Sequence, residues 1–337
     1  TGAPTATANI TPKELTIAGS FTADNKVYDG TTAATIASNS LTLAGLIGGD
    51  TVSINTTSTT ATFGDRNVGT AKAVSLTATA LTGANAANYT ITLTGAPTTS
   101  ANITPKELTI AGSFTASNKV YDGTTDATIA SNSLTLTGLI SGDTVSINTG
   151  STTATFADRN VADNKSVSLT ATALTGANAL NYTITLTGAP TATANITPKE
   201  LTIAGSFTAD NKVYDGNTSA TVASNNLTLT GLISGDTVSI NVGSTTAAFS
   251  DRNVANGKSV SLTATALTGA NASNYTITLT GAPTASANIT PKELTIAGSF
   301  TAENKVYNGN TTATIASNSL TLTGLISGDT VSINTAT

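Results

Sequence analysis

The octapeptide Ile-Thr-Pro-Lys-Glu-Leu-Thr-Ile begins at Ile10 and again at Ile103, Ile196 and Ile289, each start 93 residues after the last. The same step carries Tyr28 to Tyr121, Tyr214 and Tyr307, Asp65 to Asp158 and Asp251, and Tyr89 to Tyr182 and Tyr275, with no insertion or deletion. Such phase restricts the chain to an architecture of like units. A period of 93 residues is too long for one solenoid turn and suits a small domain with its own core. The expected organisation is 1–11 as the tail of a preceding repeat, whole repeats at 12–104, 105–197 and 198–290, and a partial repeat at 291–337. Because the chain begins and ends in mid-pattern, it reads as an excerpt of a longer array.

Within a period the hydrophobic rhythm is two. Leu108, Ile110 and Phe114 alternate with Thr109 and Ser113; Val167, Leu169, Ala171 and Ala173 alternate with Ser168, Thr170 and Thr172; Tyr182, Ile184 and Leu186 alternate with Thr183, Thr185 and Thr187. Apolar side chains then face a core and Thr or Ser faces water. Thr makes up roughly a fifth of the chain, and its branched Cβ favours extended backbone. Asp122-Gly123, Gly138, Ser141-Gly142-Asp143 and Thr175-Gly176-Ala177-Asn178 supply turns between runs. About eight short strands per period are expected, the spacing of a β-sandwich. Pro105 lacks an N–H and cannot sit inside a ladder. It marks the crossing where the last strand of one repeat feeds the first of the next, through a short, stiff joint. An all-β, elongated array follows, on the order of 140 Å long if each sandwich is roughly 40 Å.

Composition removes whole classes of chemistry. There is no Cys and no His, hence no disulfide, thiol nucleophile, imidazole base or catalytic triad. Fourteen Lys and Arg against 19 Asp and Glu leave no basic footprint for nucleic acid. No apolar run is long enough to insert into a membrane as a helix. Carboxylates are scattered among turns, and a nearly identical active site every 93 residues is not what an enzyme needs. The expectation is a non-enzyme without cofactor or metal.

The copies form an internal mutation series. Ile36, Ile129 and Ile315 correspond to Val222, a one-methyl change that reads as core. Gly69-Thr70-Ala71 corresponds to Ala162-Asp163-Asn164 and Ala255-Asn256-Gly257, a tolerance that reads as an exposed loop tip. Lys-Val-Tyr-Asp-Gly recurs with Tyr28-Asp29-Gly30, Tyr121-Asp122-Gly123 and Tyr214-Asp215-Gly216, and becomes Tyr307-Asn308-Gly309 in the fourth copy. Asn308 removes a charge yet can still close an Asx turn before Gly, so a structural tight turn is favoured over a calcium loop. Asp65-Arg66-Asn67, Asp158-Arg159-Asn160 and Asp251-Arg252-Asn253 each hold the single Arg of a complete copy, read as tying loops together. Phe21, Phe63, Phe114, Phe156, Phe207, Phe249 and Phe300 are expected core plugs, and Tyr89, Tyr182 and Tyr275 buried rings with bonded hydroxyls. Gly257-Lys258-Ser259 lacks the earlier Gly of a phosphate loop.

Lys26-Val27-Tyr28-Asp29-Gly30-Thr31-Thr32, Leu46 to Val52, Asp65-Arg66-Asn67-Val68, Asn88-Tyr89 and Ile103-Thr104-Pro105-Lys106 together resemble the YDG repeat, a relative of the mostly bacterial Ig-like (MBG) repeats. The fourth copy departs at Asn308 and stops at Thr337. The resemblance implies tandem Ig-like sandwiches in large secreted or surface-attached bacterial proteins, often filamentous-haemagglutinin-like, serving as stalk. It implies no ligand and no catalytic residue. The expected role is thus a stalk or fibre segment of a bacterial adhesin at the cell surface or in matrix, with neighbouring repeats as partners and other copies of itself as further candidates. The alternatives are a self-associating filament, by lateral or donor-strand pairing of edges poor in charge, and a repeated glycan- or ice-binding module. The absence of Cys and Met suits an oxidising exterior.

Overall fold

The computed structural model describes residues 2–334. The chain divides into two compact units. The first comprises residues up to 117 with 125–158 and 164–194, and the second 118–124, 159–163 and everything from 195 onward. Among the described residues there is no α-helix; the only helical pieces are 3₁₀ turns such as Ala86–Asn88.

The first unit contains the whole of repeat 1. Its strands are β1 (Lys13–Ala23), β2 (Lys26–Val27), β3 (Ala33–Ala34), β4 (Ile36–Ala44), β5 (Ser53–Phe63), β6 (Gly69–Thr82), β7 (Tyr89–Thr92) and β8 (Thr98–Thr104). They form a three-stranded sheet of order β4-β1-β7 and a five-stranded sheet of order β2-β8-β6-β5-β3. β1 runs antiparallel to β4, with Ile17 opposite Leu43, and parallel to β7, with Leu15 opposite Ile91. β2 runs parallel to β8, with Lys26 opposite Ile103. The period-two pattern explains the layering: Ile17 and Phe21 of one sheet cluster with Phe63, Val74, Leu76 and Ile103 of the other, and these residues, like Leu15, are buried. Thr hydroxyls bond across strands, buried Thr59 to half-buried Thr79 at 2.8 Å and exposed Thr60 to exposed Thr77 at 3.0 Å.

Pro105 separates β8 from the strand Lys106–Ala116, so one residue divides the last strand of repeat 1 from the first of repeat 2. That strand pairs with Ile129–Thr137 and with Tyr182–Thr185 in the arrangement of β4-β1-β7. The second unit holds repeat 3, with a three-stranded sheet of Val222–Thr230, Lys199–Ala209 and Tyr275–Thr278. Its five-stranded sheet is built on Ser239–Phe249, Ala255–Thr268 and Thr284–Thr290.

Four expectations need correction. The cores are not fully separate. One buried cluster in the first unit runs from Ile17, Phe63 and Ile103 through Tyr28 to Leu108 and Tyr182 of repeat 2. The segment 69–71 is not a loop tip but the start of β6, where the register skips from Gly69↔Ile103 to Lys72↔Ala101. The skip leaves Ala71 at φ 48°, and its counterparts Asn164 and Gly257 have φ 52° and 62°. Only a position in the left-handed region explains why Ala, Asn and Gly alternate there. Ile36, Ile129 and Val222 are half-buried rather than deep core, and Ile315 is exposed. Finally, six of the seven Phe are buried but Phe300 is 58 % exposed. Among the described residues the fourth copy offers it only two two-stranded ribbons, Thr295–Ala297 with Thr321–Thr323 and Phe300–Ala302 with Ile315–Asn318.

Candidate functional site

The Tyr-Asp-Gly motif is a tight turn, as its sequence suggests. Asp29 Oδ1 accepts the backbone N–H of Thr31 at 2.9 Å and the Lys26 ammonium at 2.8 Å, an Asx turn pinned by an ion pair. Burial would raise the Asp29 carboxyl, but Lys26 and Thr31 outweigh it and hold the group below its ordinary range. Gly30 has φ +78°. Asp122 repeats the contacts, and Asp215 bonds Lys212 and Asn217. Asn308 makes the same turn more loosely, at 3.2 Å to Lys305 Nζ and 3.3 Å to the Asn310 N–H. Among the described residues no three carboxylates gather as a metal site.

What the motif's sequence does not disclose is where its tyrosine goes. Tyr28 is 1 % exposed, and its hydroxyl donates to Asp143 Oδ2 of the next repeat at 2.8 Å. Tyr182 donates to the same oxygen at 2.6 Å. The two rings meet edge to face with centroids 5.3 Å apart. Arg66, from the Asp-Arg-Asn turn of repeat 1, places Nη2 3.3 Å from Asp143 Oδ1. The Asp143 side chain is fully inaccessible while that of Arg66 is 43 % exposed. Asn181 completes the junction: its Oδ1 accepts the Val68 N–H at 2.9 Å and its Nδ2 donates to Asn67 Oδ1 at 3.1 Å. A Cβ on Gly30 would lie 2.9 Å from Ile140 Cγ2, so the glycine is required by its φ and by the neighbouring repeat together.

The second unit contains the same junction 93 residues on. Tyr121 and Tyr275 donate to Asp236 Oδ2 at 2.7 and 2.6 Å. Arg159 Nη2 stands 3.1 Å from Oδ1, and Asn274 bonds Asn160 and the Val161 N–H. Burial alone would raise the Asp236 carboxyl, but the two phenols and Arg159 more than compensate, and it sits below the ordinary carboxylate range. Burial first, and then the bond to the carboxylate, push the Tyr182 and Tyr275 hydroxyls up to about 12. A third version, against the fourth copy, is looser: Tyr214 donates to Asp329 at 2.9 Å, Arg252 is 3.8 Å away, and the Asp329 side chain is 17 % exposed.

A buried carboxylate is costly unless it is hydrogen-bonded and paired. At Asp143 and Asp236 the Oδ2 atom accepts two phenols, one from each of two repeats, while the buried Oδ1 is ion-paired with the Arg of the preceding repeat but accepts no hydrogen bond. Asp143 therefore cannot lose the preceding repeat without leaving a desolvated charge short of partners. The Arg of each complete copy does tie loops together, but across the repeat boundary. Tyr89, Tyr182 and Tyr275 are buried with bonded hydroxyls, as their strand positions suggest. Lys258 ion-pairs with Asp251 at 2.6 Å within a strand, so Gly257-Lys258-Ser259 forms no phosphate cradle.

A family model for the YDG domain matches residues 11–100, 104–193, 197–285 and 290–337. The chain belongs to the YDG domain family. The YDG matches begin one residue before Pro12, Pro105, Pro198 and Pro291. No curated protein matches the YDG chain. Among solved structures it is similar to an I9–I11 tandem of titin, at 10 % identity over 82 % of this chain and 100 % of that one, with a TM-score of 0.21. In the first three YDG repeats of this chain the Tyr of the signature is a junction residue, and its partner Asp lies in the Gly-Asp turn of the following repeat, whereas Tyr307 is exposed.

Proposed function

We propose that this chain is a load-bearing, non-catalytic segment of an extracellular bacterial stalk or fibre, in which stiffly coupled YDG repeats project a distal head or build matrix. The observation that supports this reading is the buried Asp143, hydrogen-bonded by Tyr182 of its own repeat and by Tyr28 of the preceding one and ion-paired with that repeat's Arg66, an arrangement matched at Asp236. A joint of this kind resists bending, because tilting one repeat on the next strips a desolvated charge of its donors. The partners of each repeat are then its neighbours in the chain. A surface of Thr, Ser and Asn stays hydrated without depending on salt-screened charge. Few Lys and Arg leave few tryptic sites, and the lack of Cys and Met suits an oxidising exterior.

Small-angle scattering tests the reading. The wild-type chain is expected to give a rod-like profile, and the double variant Tyr28→Ala, Tyr121→Ala a more flexible one with each repeat still folded. A compact wild-type profile refutes the stalk. Antibody labelling of intact producing cells tests the placement: a strictly intracellular signal would overturn it.

A further inference from the structure

The three-stranded sheets leave one long edge open. β4 in repeat 1, Ile129–Thr137 in repeat 2 and Val222–Thr230 in repeat 3 are each nine residues long and bonded on one side only. None contains a charged residue or a proline. Natural sheets guard such edges with Lys, Pro, bulges or shortness; these three carry a bulge near their start, at Ala37, Ala130 and Ala223, but lack the charge, the proline and the short length, so the stretch after the bulge is unguarded.

We propose that these edges pair antiparallel with the same edge of a second copy of the chain. The strand is self-complementary about its centre. With Ser133 opposite Ser133, Ser131 meets Thr135 and Asn132 meets Leu134. Partners then always differ by an even number of residues. Between Ser131 and Thr135 exposed hydroxyls meet exposed hydroxyls, and half-buried Leu134 and Asn132 share the core side; the match ends at the bulge, where exposed Ala130 falls opposite half-buried Leu136. No like charges are brought together. Beside the edge lies room for the partner, a groove of about 510 Å³ in repeat 2 and 650 Å³ in repeat 3. The repeat 3 groove runs between Val222–Asn225 and Thr245–Ala248 and has an uncharged lining. At that edge Asn225 carries a buried Nδ2 with no acceptor, a donor an incoming strand can satisfy. The inference is independent of the stalk reading, since a stalk can be solitary or bundled.

Sedimentation velocity on the whole chain, from micromolar to millimolar, is the test, with a rise toward twice the chain mass expected. In the triple variant Ser40→Lys, Ser133→Lys, Asn226→Lys, each Lys replaces an exposed side chain at the centre of its strand, so that wherever two of these edges pair about their centres a Lys faces a Lys. Its association is expected to weaken at least tenfold with unchanged circular dichroism and melting. Hydrogen exchange on the wild type gives a readout without a variant: amides of 129–137 should gain protection as concentration rises. A wild type that stays monomeric, a triple variant that associates as tightly, or association without added protection at these strands would each overturn the proposal.

Discussion

Replacing Tyr28 by Phe deletes one hydroxyl and leaves the ring packed edge-on against Tyr182. The lost bond ran to a fully buried carboxylate, and hydrogen bonds to charged groups contribute about 1.5–3 kcal/mol. Asp143 then depends on Tyr182 and on Arg66, whose guanidinium is at 3.3 Å and partly solvated. Local opening of the junction is the event that this loss promotes. The amides that report it are Val68, held by Asn181, and Ile140, held by the Tyr182 hydroxyl. At 1.4 kcal/mol per tenfold, their exchange should accelerate roughly 10- to 100-fold. Hydrogen exchange read by mass spectrometry at peptides covering 66–70 and 138–145 measures it. Core peptides around Phe63 and Val74 should change little, and so should the equivalent junction at Val161 and Ile233. Tyr121→Phe should show the mirror pattern. Acceleration of less than about threefold, or equal acceleration in the core, would refute the claim that Asp143 couples the repeats.

Ala71→Gly should stabilise repeat 1 by about 1 kcal/mol, because Ala sits at φ 48° where Gly is at ease, and Gly257→Ala should cost repeat 3 a similar amount; thermal melts decide. Phe63→Ala should destabilise by about 3–5 kcal/mol, whereas Phe300→Ala, at a site 58 % exposed, should fall within about 0.5 kcal/mol in urea titrations. Tyr182 and Tyr275 are raised above the ordinary tyrosine value, so their contribution is fully present below pH about 10 and is lost as pH climbs through about 12. The gap corresponds to at most about 3 kcal/mol for each of these two tyrosines, and tyrosinate absorbance should rise together with junction exchange in that window.

The strands were legible because period-two alternation, turn residues and the proline break are local signals, and the eight strands of repeat 1 fall where those signals lie. The junction was not, because Tyr28 and Asp143 are 115 residues apart, more than a whole repeat, and nothing local to either residue points to the other. A trace did exist. Asp50, Asp143, Asp236 and Asp329 persist in all four copies while Asp24, Ser117, Asp210 and Glu303 drift. Persistence alone did not single these out, because Glu14, Glu107, Glu200 and Glu293 persist as well and are exposed. The bulge at Ala71 was misread because tolerance of Ala, Asn and Gly looks like a loop until the backbone angle is known.

The parallel pairing of β1 with β7 and of β2 with β8 has a mechanical consequence. The strand that enters repeat 1 and the strands that leave it point the same way, so tension along the chain drags them past one another lengthwise. Hydrogen bonds loaded in that direction yield as a group rather than unzipping singly. A pulled repeat should therefore hold to a high threshold and then give way abruptly, while the antiparallel β1–β4 edge peels at far lower force once that threshold is passed.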